Sequence, residues 1–379
     1  MNRRKLLGAT AALGAAAVPL GVDALPAAAA PSDQLPSRAE VLAVMQRVND
    51  HWIGANANPG NNLWARATYF SGNMAHYQLT RVSRYLNYAV AWAEQNNYSL
   101  NGGAATRNAD NHCAGQTYLD LYQELGGANK IAVLEESLSL MVNSAKRDDW
   151  WWVDALHMAM PPFARLGALR NNTSYWVAMY QLYHHTKRLR PDRLGRVTGL
   201  LSEFTPLWYR DNAYAIDGPN QFSPNGKPVL WSRGNGWAIA AHAKVLKVIP
   251  LTDKRGPEYA FTLQSMANAL RPIQRADGFW NVNLADPAHF GGPETSGTAF
   301  FAYGIAYGIR AGLLDRATYL PVVARAWNGM VETAVRADGH LGYCQGVGAA
   351  PAPVDPDQTA DYGVGAFLMA GTEIAALTT

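Results

Sequence analysis

The stretch D148-D-W-W-W-V-D-A-L-H-M-A-M160 runs from a loop of carboxylates and indoles into an apolar, small-residue helix that begins at about Asp154. The segments on either side, 130–146 and 174–188, are of another kind, apolar on one face only: Ile131, Leu134, Leu138 and Met141 recur at helical spacing. The same alternation continues in both directions. Segments 38–53, 83–96, 257–271 and 317–335 read as amphipathic helices, with Val41, Met45, Val48 and Trp52 marking the buried face of the first. Segments 65–80, 115–125, 154–167, 235–249, 296–312 and 362–376 are apolar and follow a Gly-rich or aromatic loop.

Wholly buried and half-exposed helices in alternation suit a closed ring of helical hairpins, whose inner helices meet neighbours all round while the outer ones face water. Six such pairs predict an all-α (α/α)6 barrel. A faint internal repeat fits this: R275-A-D-G-F-W280 and R336-A-D-G-H-L341 each follow an outer helix and precede an inner one. Their Asp-Gly pairs serve turns with positive φ, and short strands are expected after them.

A chain of 379 residues could hold two average domains, but no Ser/Gly-rich or charged linker divides it, so residues 31–379 are read as one catalytic domain. Net charge of +3 is close to neutral for this length, and no basic stripe argues for nucleic acid. Twelve Trp and eighteen Tyr suit a protein that lays flat rings against sugars, and equally an aromatic-rich core. Residues 1–30 have the charged head, apolar run and small-residue end of an export signal, and Arg3-Arg4 followed by Leu6-Leu7 suggests the twin-arginine route. No other run is long and apolar enough to span a bilayer, so a periplasmic or secreted protein with no membrane partner is expected. Cys113 and Cys344 are read as free thiols, with pairing in an oxidising compartment the open alternative. Neither lies in a CxxC or CxxH arrangement, and no metal or other cofactor is expected.

Loops that start the inner helices would all emerge at one end of the ring. Five of them concentrate polar groups, glycines and aromatics: D110-N-H-C-A-G-Q-T-Y118, 148–154, W231-S-R-G-N-G-W237, P293-E-T-S-G-T298 and Y343-C-Q-G-V-G-A349. An aspartate beside indoles loses solvation, which raises its pKa as a general acid requires, and Asp154 is placed for that; the alternative is a helix cap. Gly234 and Gly236 would allow close backbone approach before the helix of 235–249 starts.

The ordered motifs W-V-D-A-L-x-M, W-S-R-G-N-G-W, E-T-S-G-T-A-F-F and Y-G-V-G-A-F-L-M-A-G, spread from Val41 to the C-terminus, resemble the unsaturated rhamnogalacturonyl hydrolases of glycoside hydrolase family 105. These are relatives of the family 88 unsaturated glucuronyl hydrolases. The resemblance implies an (α/α)6 barrel that removes the 4,5-unsaturated uronic acid from the non-reducing end of lyase-generated oligosaccharides. The family hydrates the C4=C5 enol ether, and the resulting hemiketal opens and releases the rest of the saccharide. One carboxyl can deliver the proton to C4 and then activate the water for C5. Asp154 matches that acid/base, and Asp110 the second aspartate, which binds hydroxyls and sets its partner's protonation. Arg233 matches a substrate-binding arginine, flanked by Trp231 and Trp237 as stacking surfaces. Trp152, His112 and Arg210 are further candidates for saccharide contact, and for His112, as for His157 and His289, a structural role is the alternative.

The chain departs from the family pattern in having Asp148-Asp149 and three Trp where a histidine is expected near the acid. It also has Tyr209-Arg210-Asp211 where another histidine is expected. These departures bear on the sugar beyond the unsaturated ring, and Asp148 or Asp149 could couple to Asp154. Two rival readings remain at this point. One is an inverting glycosidase with Asp154 as acid and Asp110 or Asp211 as base; the other is a non-catalytic carbohydrate-binding toroid.

Overall fold

A computed structural model describes residues 30–189, 191 and 194–378 of the chain, so the proposed export segment lies almost wholly outside the described residues. The outer helices are α1 (Arg38–Ala55), α3 (Ser83–Gln95), α6 (Ala132–Val142), α8 (Ser174–His184), α10 (Gly256–Leu270) and α12 (Arg316–Gly329). The inner ones are α2 (Trp64–Thr80), α5 (Ala114–Leu125), α7 (Ala155–Leu169), α9 (Ser232–Leu246), α11 (Thr295–Arg310) and α13 (Asp361–Leu377). A short α4 (Ala109–His112) precedes α5.

The inner helices touch in the order α2, α5, α7, α9, α11, α13 and back to α2, which closes the ring. Burial follows the sequence pattern. α11 buries every residue from Thr295 to Ile309, whereas α1 buries one stripe, Val41, Met45, Val48, Asn49, Trp52 and Ile53. The start of α1 is fixed by a capping box, in which Ser37 and Glu40 satisfy each other's backbone N–H. The ring closes where α2 meets α13 backbone to backbone: a Cβ on Gly72 would lie 2.2 Å from the Gly365 carbonyl oxygen. No larger residue fits there.

Both Arg-Ala-Asp-Gly turns are built alike. Gly278 (φ 85°) and Gly339 (φ 94°) are left-handed, and Arg275 N–H and Arg336 N–H donate to the carbonyls of Phe279 and His340. The short strands expected after them are absent among the described residues and reduce to isolated bridges such as Val335–Leu341 and Trp231–Asn283. The loops turn away after one residue pair, and side chains such as Asn283, which takes the Leu230 N–H, stand in for a ladder. A second difference concerns Gly234 and Gly236, which sit inside α9 rather than ahead of it. Gly236 instead lets α9 approach α11, since a Cβ there would be 2.9 Å from Phe300 Cβ.

The starts of the inner helices gather at one end. Trp64 at the head of α2 stacks on Tyr362 at the head of α13 (5.2 Å), and Arg66 pairs with Asp361 at 3.0 Å. That end therefore presents positive helix-dipole ends, which favours anionic ligands there. Both cysteines are buried and free. Among the described residues no helix is long and apolar enough to cross a membrane.

Candidate active site

Asp154 sits where a helix cap would sit, directly before α7, yet its side chain caps nothing. Its backbone is already helical (φ −59°, ψ −30°) and its carbonyl accepts from His157 and Met158. The carboxyl is thereby left free for other work. It is 8 % exposed, and burial pushes its pKa up against the pull of the Arg210 and Arg233 charges. Arg210 Nε lies 3.4 Å from Asp154 Oδ2, and neither of these buried atoms has a hydrogen-bond partner.

Asp110 comes from the first turn of α4, whose cap is the Asn108 side chain, so Asp110 is also released from capping. Burial, then the charge of Asp154, pushes its carboxyl up to about 7, with Arg210 and the Trp152 side chain opposing. The like charge of Asp154 and the opposing charge of Arg210 couple the titration of the two carboxyls.

Arg210 is placed by long-range contacts. Its carbonyl accepts from Val153 N–H at 2.8 Å, tying segment 208–211 to the head of α7. Asn235 of the W-S-R-G-N-G-W motif holds that segment from the other side: its Oδ1 accepts from Trp208 N–H at 2.7 Å and its Nδ2 donates to the Trp208 carbonyl at 3.0 Å. Arg210 Nη1 donates to Asp211 Oδ2 at 2.6 Å, and Asp211 Oδ1 accepts from Ala213 N–H, so both Asp211 oxygens are engaged.

The three tryptophans of the opening stretch go three ways. Trp150 is core, edge-on to Phe163; Trp152 is buried beside Asp110; Trp151 is 47 % exposed, lies 4.6 Å from the Trp152 ring and carries the Arg210 guanidinium at 5.6 Å. Asp149 is taken up by Arg107 and Lys146, and Asp148 by Lys146. The two therefore face a cationic pair rather than Asp154. A cavity of about 250 Å³ lies among Arg107, Lys146, Asp148, Asp149, Trp151 and Trp152.

Other residues expected at the sugar are placed in the surrounding packing. Arg233 is fully buried between the rings of Trp231 (4.5 Å) and Tyr362 (4.6 Å), and its terminal nitrogens donate to the carbonyls of Gln345 and Gly346 at 2.6 and 2.9 Å. Trp231 donates to Gln345 Oε1, so the pair pins the 343–346 loop. Trp237 packs on Phe300 and His157 inside the ring. His112 lies with Nε2 2.9 Å from Ser137 Oγ, toward outer helix α6, and burial pushes it down to about 4, so it is neutral. His157 is buried in the ring centre and His289 touches Asn283. Sequence reasoning did not anticipate Asn235, Asp211 in its engaged form, or Glu294, which is buried and caps α11 through Ser296 N–H and Gly297 N–H. The E-T-S order was the available signal for the last.

The chain is similar to a protein of Formosa agariphila called "Unsaturated 3S-rhamnoglycuronyl hydrolase", 34 % identical over 236 residues, which span 62 % of this chain and 60 % of that protein's length. Two solved structures overlay with a TM-score of 0.82. One is "Glycosyl hydrolase family 88 from Bacteroides vulgatus", 35 % identical and covering 90 % of this chain and 99 % of the other. The second is called a polysaccharide lyase, 34 % identical and covering 90 % and 98 %. The motif likeness to family 105 and its family 88 relatives meets a family model over nearly the whole fold: residues 37–378 match Glycosyl Hydrolase Family 88, and the chain belongs to that family.

Proposed function

We propose that this protein releases a 4,5-unsaturated uronic acid from the non-reducing end of oligosaccharides by hydrating the C4=C5 double bond. The observation that carries the reading is a buried Asp154 carboxyl, kept from capping its helix, with one oxygen facing Arg210 and without a hydrogen-bond partner. The Asp154 carboxyl, its pKa raised by burial, donates its proton to C4 of the enol ether, and positive charge develops at C5 and the ring oxygen. The carboxylate so formed takes a proton from the water that adds to C5. The product is a C5 hemiketal; its opening breaks the bond from C5 to the ring oxygen and leaves a ketone at C5 and a hemiacetal at C1, which collapses to an aldehyde and releases the neighbouring sugar as an alcohol.

Asp110 stores the second proton of the pair and accepts from sugar hydroxyls. Arg210 and the inner-helix N-termini receive the substrate carboxylate. Trp152 and the exposed Trp151 offer rings to the saccharide, while Arg233, Trp231, Trp237 and His112 hold the loops that frame it. The Formosa relative's name supports rhamnose as the neighbouring sugar, with a galacturonyl or glucuronyl ring at the cleaved end. The charged and apolar pattern of residues 1–30 supports export before the protein acts.

An inverting glycosidase with Asp211 as base is disfavoured because Arg210 and the Ala213 N–H occupy both its oxygens. The name of one overlaid structure supports a lyase as the second reading. Ultraviolet absorbance separates them. A panel of unsaturated disaccharides from rhamnogalacturonan, glycosaminoglycan and other uronate polymers is expected to lose enol-ether absorbance on turnover. A lyase raises absorbance on intact polymer, and an inverting enzyme acts on saturated substrate with no change.

A further inference from the structure

At the end of the ring opposite the carboxyl pair, the C-terminal halves of the inner helices surround a second cavity of about 520 Å³. Along α9, Arg233 and Lys244 are eleven residues apart, roughly 16 Å of helix, so the two ends are separate sites. Most charges on this cavity are answered. Arg165 pairs with Asp120 at 2.8 Å, and Lys247 is bound by Glu373 with the Tyr303 ring beside it at 4.9 Å. Lys244 is the exception. Its Nζ donates to neutral oxygens, Gln116 Oε1 at 2.7 Å and Ser71 Oγ at 3.2 Å, and no ion pair to it is found among the described residues.

A half-buried lysine head among packed helices, with no carboxylate beside it, is incompletely solvated unless something anionic completes it. Burial pushes it down to about 7; Cys113 and Asp120 on the α4–α5 side favour its charge, while Lys247 on its own helix and Arg165 on α7 oppose it. His157, the other buried titratable group of α7 near it, is held neutral by burial and in part by this lysine. The remaining polar lining, Gln78, Gln123 and Thr372, offers amides and hydroxyls rather than charges. The volume falls within the range of small-molecule sites.

We infer that this cavity is a second binding site for a hydroxyl-rich monocarboxylate of single-sugar size, its carboxylate seated on Lys244 and its hydroxyls on the surrounding amides. The site is distinct from the catalytic one and takes a free sugar acid.

The test uses the full chain and calorimetric titration with D-glucuronate and, for comparison, D-glucose. Expected is binding of glucuronate that weakens at least tenfold in Lys244→Met, as for loss of a charged hydrogen bond, and in Ala75→Phe, which fills the cavity from α2 and leaves the lysine in the chain. Glucose, lacking the carboxylate, is expected to bind at least tenfold more weakly. Hydrolysis of the unsaturated disaccharide should be unchanged in any folded variant. The inference is overturned if glucuronate does not bind, if it binds Ala75→Phe as it binds the unmodified protein, or if glucose binds equally well.

Discussion

Replacing Asp110 by asparagine removes a group that the fold holds at about 7 instead of 3.8, and so changes how stability depends on pH. Because the folded-state pKa is raised, the folded protein keeps a proton that the unfolded chain releases. The stability tied to that proton is full below 3.8, declines as pH rises, and is gone above about 7. At 1.36 kcal/mol per pH unit the whole interval corresponds to roughly 4 kcal/mol, of which about 3 lies above pH 5; solvent at the open mouth reduces this to about 2. Asp110→Asn carries no such burden. Its melting temperature relative to the unmodified protein should therefore climb by a few degrees between pH 5 and pH 8 and then level off. Differential scanning calorimetry across that range, in buffers of equal ionic strength, measures the difference directly. A difference that stays flat or narrows toward high pH would mean that Asp110 is an ordinary ionised carboxylate, and its raised titration beside Asp154 would be refuted. In kcat/KM, the same variant should move the alkaline limb to lower pH, since Asp154 no longer titrates against a neighbouring charge.

Asp154→Asn should lower turnover more than a hundredfold while its melting curve and its affinity for unsaturated disaccharide persist; near-native turnover refutes the acid/base assignment. Arg210→Met removes the only charged group in ion-pair reach of Asp154 among the described residues, so KM for the anionic substrate should rise at least tenfold, and an unchanged KM counts against carboxylate recognition. Trp151→Ala takes away a half-exposed ring whose contacts are the Trp152 ring and the Arg210 guanidinium. It should raise KM several-fold with kcat nearly constant, and steady-state kinetics on disaccharide and tetrasaccharide would show whether the ring serves the neighbouring sugar.

The ring itself was legible because it is local. Helical spacing and burial pattern distinguish α11, apolar on all sides, from α1 with its single stripe, and twelve such segments in alternation leave little choice of architecture. Asp154 was legible for the same reason, standing between indoles and an apolar helix. What could not be read were contacts between distant segments. Nothing in Y209-R210-D211 announces that the Val153 N–H fixes Arg210 against Asp154, or that Asn235 clamps Trp208 to bring it there. Equally, three adjacent tryptophans look alike in sequence, and only the packing sends Trp150 to the core and Trp151 to solvent. Arg233 shows the limit of motif reading: its position was anticipated, but its fork is spent on the carbonyls of Gln345 and Gly346, more than a hundred residues downstream.

In the proposed reaction a proton passes from a buried carboxyl to a vinyl carbon. Hydrolysis of an unsaturated disaccharide in heavy water, stopped early and read by NMR and mass spectrometry, follows that proton. Product released with one deuterium at C4, concurrent with loss of enol-ether absorbance, is the predicted result. Product that keeps its double bond and carries no deuterium at C4 would contradict the account.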